Sequence, residues 1–192
     1  MFAESLWPGL MTCCILYLSD YLLTVACARK YRAQSTIVFE GSFEITPAYQ
    51  KDIDSLRLLS PRFLFVLVSV ATLLWALWRL THRPAGDPRL YLFCLGALVL
   101  LQLAIHVRHL GNWYMFTHAI PSEGIRGHLE YSRSSLLRAS AWQLAAFSGL
   151  FLVLSVATSS WLALGGAVSC LLIALKHLRY ATKAVAQAAS KN

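Results

Sequence analysis

The sequence predicts an all-α fold: a polytopic bundle of five transmembrane helices, with the N-terminus outside and the C-terminus in the cytosol. Three observations carry this expectation. Apolar residues make up 57% of the chain and charged residues 14%, against roughly 45–50% and about 25% in soluble domains. The apolar excess falls in long runs and not along amphipathic faces. The basic residues, in turn, collect between alternate runs, as the positive-inside bias requires.

Crossing a hydrocarbon core takes about 20 apolar residues in a helix. Five stretches qualify, at about 6–27, 62–80, 90–110, 139–157 and 160–178. The first lacks a basic n-region and is followed by Arg29, Lys30 and Arg32, the pattern of a retained helix and not of a cleaved leader. The last two form one nearly continuous apolar stretch, which as a single helix would reach roughly 60 Å, about twice the hydrocarbon core. The polar triplet Thr158-Ser159-Ser160 is where the chain turns back.

Counting Lys and Arg fixes the orientation. Of 17 basic residues, only Arg79, Arg83 and Arg89 fall on the side of the N-terminus. The rest lie at 28–62, 108–138 and 176–192, which are therefore cytosolic. Trp7, Trp75, Trp78 and Trp161 mark the outer interface; Trp113, Tyr114 and Trp142 mark the inner one. The net charge of +8 then reads as topology determinants and contacts for anionic lipid headgroups, not as a nucleic-acid surface. The five cysteines sit inside apolar runs with no metal-finger or redox spacing, so they act as small hydrophobes.

Two cytosolic loops are expected, at about 28–61 and 111–138, within a single membrane domain spanning 1–192. In the first, residues 36–45 suit a short strand or hairpin. Thr46 suits a helix N-cap with Pro47 at the first helical position, and Tyr49, Ile53 and Leu56 follow at helical spacing, as in a helix lying in the headgroup plane. The tail from Ala181 is expected to fray.

Small residues recur every four positions in the last two helices: Ala141, Ala145 and Gly149, then Gly166, Cys170 and Ala174. Such faces let backbones approach where lipid supplies no hydrophobic drive. Polar seams mark two other helices. Cys13, Tyr17, Asp20, Thr24 and Cys27 share an arc of about 80° on the first, and Gln102, His106, His109 and Trp113 about 60° on the third. His177 lies on the small-residue face of the fifth. An acid in a transmembrane run costs about 2.5–3.5 kcal/mol on insertion scales, so it generally faces a partner or a wet cavity. The first, third and fifth helices run in one direction, which brings Asp20, His106 and His177 to similar depth and predicts that they converge. The plainer alternative is that Asp20 only locks the fold and the histidines snorkel to headgroups.

The loops add Glu40, Glu44, His118, Glu123, His128 and Glu130. No hydrolase, nucleotide-binding or zinc-protease motif accompanies them. The Asp20–Thr24 spacing, followed by Glu44-Ile-Thr-Pro47, resembles a pattern in small uncharacterised bacterial membrane proteins, in which an Asp-x-x-x-Thr helix precedes a Glu-x-Asn-Pro segment. Thr46 stands where that pattern has Asn, and the likeness covers about 30 residues. It implies a bacterial inner-membrane protein and a cytosolic role for Glu44.

Three function classes follow. The first is an oligomeric transport or channel-like component, with Asp20, Thr24, Gln102, His106, His109 and His177 lining a polar site. The second is a membrane-embedded enzyme or redox protein in which the histidines hold a metal ion or haem b. The third is a structural or accessory subunit of a membrane complex.

Overall fold

A computed structural model describes residues 4–83, 86–122 and 124–189. Glu123, and Lys191 among the basic residues, lie outside the described residues. Five helices are long and apolar enough to cross a membrane. They are α1 (Leu6–Arg32), α3 (Pro61–Thr81), α4 (Pro88–Tyr114), α5 (Arg133–Thr158) and α6 (Trp161–Ala189). A five-residue helix, α2 (Gln50–Asp54), and two short strands, β1 (Ile37–Phe39) and β2 (Leu129–Tyr131), build the connections.

Each long helix outruns its apolar stretch, α6 by more than ten residues. An apolar run measures how much chain can be buried in hydrocarbon. The helix itself continues until a cap or a turn residue ends it. Ser60 caps α3 by accepting a hydrogen bond from the Phe63 amide, with Pro61 at the first position. Asp87 and Pro88 do the same for α4, and Ser132 caps α5. α1 ends on Arg29, Lys30 and Arg32, cations suited to the negative end of its dipole. The turn expected at 158–160 is present: Ser159 takes a left-handed conformation (φ 52°) and reverses the chain into α6. The tail from Ala181 is helical through Ala189.

α6 lies between α4 and α5, α1 packs on α4, and α3 closes against both α1 and α4. The closest approach is between α4 and α6. A Cβ on Gly96 would collide with the Leu162 carbonyl, and one on Gly165 with the Phe93 carbonyl. Gly166 faces Leu100, and Cys170 and Ala174 are buried with Ala104, Ala141 and Leu144. Ala145 packs at the edge of this cluster.

Gly149 is a correction. It is exposed, and a Cβ there would meet nothing within 4 Å. A four-residue repeat turns about 40° per step around a helix, so the stripe from Ala141 has left the interface by Gly149. The buried face of α5 alternates threes and fours instead, through Ala141, Leu144, Ser148, Phe151 and Ser155. Ser148 donates to the Ala167 carbonyl at 2.8 Å.

The connections also differ from expectation. β1 pairs in parallel with β2, Ile37 opposite Leu129 and Phe39 opposite Tyr131, so the strand near 36–45 has its partner in the other loop and forms no hairpin. The fold is thus helical with one small parallel ribbon joining its two larger connections. Thr46 opens a turn, with the Tyr49 amide donating to its carbonyl at 3.0 Å, and α2 begins only at Gln50. Nor does α2 present its apolar side outward: Ile53 is buried with Tyr21, Val25 and Phe63. Leu56, at φ 52°, ends the segment.

Candidate functional site

α1 and α4 run parallel with a nearly constant offset. Ser19 meets His106 and Thr24 meets His109, while Gly9 sits against Leu95 near the other end. α6 is parallel to α4 as well, with Leu162 at Gly96 and Gly166 at Leu100. This shared direction collects the polar residues of the three helices into one layer. Towards their N-terminal ends the bundle is filled by an apolar cluster that includes Cys13, Leu74, Tyr91 and Leu95.

Within the layer, Asp20 pairs with His109. The Nε2 atom of His109 lies 3.2 Å from Asp20 Oδ1 and 3.1 Å from Thr24 Oγ1. Thr24 donates its own hydroxyl hydrogen to the Asp20 carbonyl at 2.8 Å. Two acceptors therefore face Nε2, which must carry the hydrogen. The carboxylate is off the hydrogen-bond direction, so Thr24 takes the bond and Asp20 supplies charge. His109 is 5% exposed, and its Nδ1 is buried with no hydrogen-bond partner among the described residues; Gln102 Oε1 is in the same condition.

The expected convergence of Asp20, His106 and His177 takes a different form. His106 Nε2 lies 2.8 Å from Ser19 Oγ, and its Nδ1 donates to the Gln102 carbonyl at 2.7 Å. His177 Nδ1 lies 3.0 Å from Ser140 Oγ, which accepts from Arg108 Nη1 at 2.6 Å. Each histidine thus has its own partner on a different helix. The reason is the parallel offset, which sets Thr24 opposite His109 and Ser19 opposite His106.

Three small cavities surround Arg108. The first, about 190 Å³, lies between α1, α4 and the connection carrying Glu44; its polar lining includes Asp20, Glu44, Tyr49, Gln102, Arg108 and His109. The second, about 180 Å³, lies on the other side of His109 and adds Asn112, Ser140 and Gln143. The third, about 160 Å³, lies between α4 and α6 and is lined by Lys176, His177 and Tyr180. Arg108 lines all three, and Glu44 the first two. Burial pushes the Tyr49 phenol up from its ordinary value, so this hydroxyl is a hydrogen-bond donor at neutral pH.

Of the loop candidates among the described residues, Glu44 alone reaches these cavities. Its Oε1 accepts from the Thr46 amide at 2.7 Å, which shapes the turn beneath Arg108. Glu40 instead accepts from the Arg133 amide at 2.9 Å, capping the positive end of α5. His128 Nδ1 lies 3.2 Å from the Ser35 carbonyl, tying the loops together. Glu130 stands exposed on β2, opposite Val38, and His118 stacks on Tyr114.

Arg108 is the residue that sequence reasoning missed, because it reads there as a topology charge. Its position three residues before Gly111 and inside the α4 span was the available signal. Among the described residues no group of three or more His, Cys, Asp or Glu side chains is arranged to hold a metal ion. His106 and His177 are each held by a serine of a different neighbour, Ser19 and Ser140. What the arrangement offers is opposite charge around a small, partly open volume: two carboxylates, a guanidinium and an imidazole whose Nδ1 has no hydrogen-bond partner among the described residues. Comparison with protein-family models, with curated proteins and with solved structures finds no match to this chain.

Proposed function

We propose that this is a multi-pass protein of the bacterial inner membrane, N-terminus outside, that binds a small zwitterionic solute on its cytosolic side as a carrier-type transport component. The observation that carries this reading is the cavity shared by Asp20, Glu44, Arg108 and His109. Ionisable side chains inside a transmembrane bundle are expensive and mark substrate or ion pathways by default. Here Arg108 suits a carboxylate or phosphate, and Asp20 with Glu44 suits an ammonium group. The free Nδ1 of His109 and the Gln102 oxygen add acceptors for solute donors.

The apolar cluster that fills the bundle towards the other helix ends supports a site loaded from the Arg108 side. The orientation rests on the basic residues flanking α1, α5 and α6. The bacterial setting rests on the sequence pattern from Asp20 to Pro47.

The test is thermal unfolding of the purified protein in detergent against a panel of amino acids, betaines, simple carboxylates and simple amines. At least one zwitterion is expected to raise the transition of the wild type in a saturable way, and simple ions far less. Asp20→Asn and Arg108→Gln should each abolish that shift while the proteins still unfold cooperatively. A panel without any stabilising zwitterion, or an Asp20→Asn response equal to wild type, removes the reading.

A further inference from the structure

The cavity between α4 and α6 differs in chemistry from the one beside Asp20. Its upper wall is aliphatic, formed by Leu101, Ile105, Leu144 and Ile173. Its other end carries the cations Arg108 and Lys176, with His177 and Tyr180 beside them. Among the described residues no carboxylate lines it. We propose that this cleft is a binding site for an anionic glycerophospholipid of the leaflet to which the Arg108 ends of the helices belong, with the phosphate held by Arg108 and Lys176 and the first acyl methylenes lying along the aliphatic wall.

Charge complementarity is the first argument. Arg108 is anchored by Ser140 through one nitrogen, at 2.6 Å, which leaves the rest of its donor fork free to meet phosphate oxygens. Lys176 is exposed, and its ammonium lies 5.8 Å from the Tyr180 ring centroid, on the side of α6 that lines the cleft. His177 is fixed through Nδ1 by Ser140, and its Nε2 makes no hydrogen bond among the described residues. Basic pockets between transmembrane helices at the cytosolic face are where acidic headgroups bind.

Geometry is the second argument. Leu101 and Arg108 are seven residues apart, so the aliphatic wall extends about 10 Å along the helix from the guanidinium. That places an apolar strip directly above a cationic floor, in the order that a lipid presents chain and phosphate. At about 160 Å³ the cleft is smaller than the roughly 300–1,000 Å³ of sites enclosing a whole drug-sized ligand. It takes a phosphate and the adjoining methylenes and leaves the chains in the bilayer. Ile45, Thr46 and Pro47, next to Glu44, also line it.

The experiment titrates purified protein in a neutral detergent with dioleoylphosphatidylglycerol, dioleoylphosphatidylcholine or inorganic phosphate. Binding is followed by native mass spectrometry and by the thermal transition. Phosphatidylglycerol is expected to bind saturably and raise the transition, and the other two far less. Lys176→Gln should weaken phosphatidylglycerol binding about tenfold, whereas Lys183→Gln, on the same helix but outside the cleft, should leave it unchanged. Lys176 does not line the cavity with Asp20, so Lys176→Gln should also leave any zwitterion shift intact. Equal binding of the two lipids, equal effects of the two lysine variants, or an inorganic phosphate response matching the lipid's would each overturn the lipid site.

Discussion

Thr24 spends its hydroxyl hydrogen on its own helix, and that choice fixes the protonation of His109. Replacing it with valine keeps the shape and removes the acceptor aligned with Nε2. A buried donor without its partner costs about 1–3 kcal/mol, so Thr24→Val should lower the thermal transition in detergent. Thr24→Ser, which retains the oxygen, should recover most of the loss. Equal transitions for valine and wild type would show that Asp20 alone satisfies the imidazole. Ser140 has the same standing on the other side of α4, where it joins Arg108 to His177. Asp20, His106, His109 and His177 were legible in the sequence as polar residues in the C-terminal halves of apolar helices. Their partners Ser19, Ser140 and Arg108 were not. A serine in an apolar run is too common to be informative, and an arginine near a helix end is indistinguishable from a topology charge.

At the scale of elements, the backbone contact between α4 and α6 sets the depth of the polar layer. Gly96 and Gly165 meet the opposing main chain, which cannot retreat as a side chain can. Gly165→Val should therefore destabilise by more than the usual overpacking cost of about 1–3 kcal/mol. Gly149→Val should be nearly neutral, since its position on α5 is open. Similar transitions for the two variants would deny the close crossing. The small-residue spacing of α6 was readable from sequence, because a glycine or cysteine every turn is a packing signal in lipid. The matching glycine of α4 was hidden by a helix otherwise rich in leucine. The ribbon of β1 and β2 was out of reach for a different reason: strands of three residues carry too little periodicity to announce a partner some 90 residues away.

At the scale of the whole molecule, the orientation proposed from the basic residues has a direct check. Arg83 lies in the α3–α4 connection and Lys183 near the end of α6, both exposed. With an impermeant maleimide on intact cells, Arg83→Cys should label and Lys183→Cys should label only after permeabilisation, above the background of the unsubstituted chain. The reverse pattern, or equal labelling of both, sinks the orientation. The sequence by itself determined the number of long apolar helices, where α5 turns into α6, and which helices carry polar residues. These follow from transfer energetics and local geometry, which act along the chain. Only the tertiary structure decided that Asp20 pairs with His109 and that Arg108 stands among three cavities. Those outcomes depend on the offsets between parallel helices, set for α1 and α4 where Gly9 meets Leu95 and for α4 and α6 where Gly96 and Gly165 meet the opposing main chain.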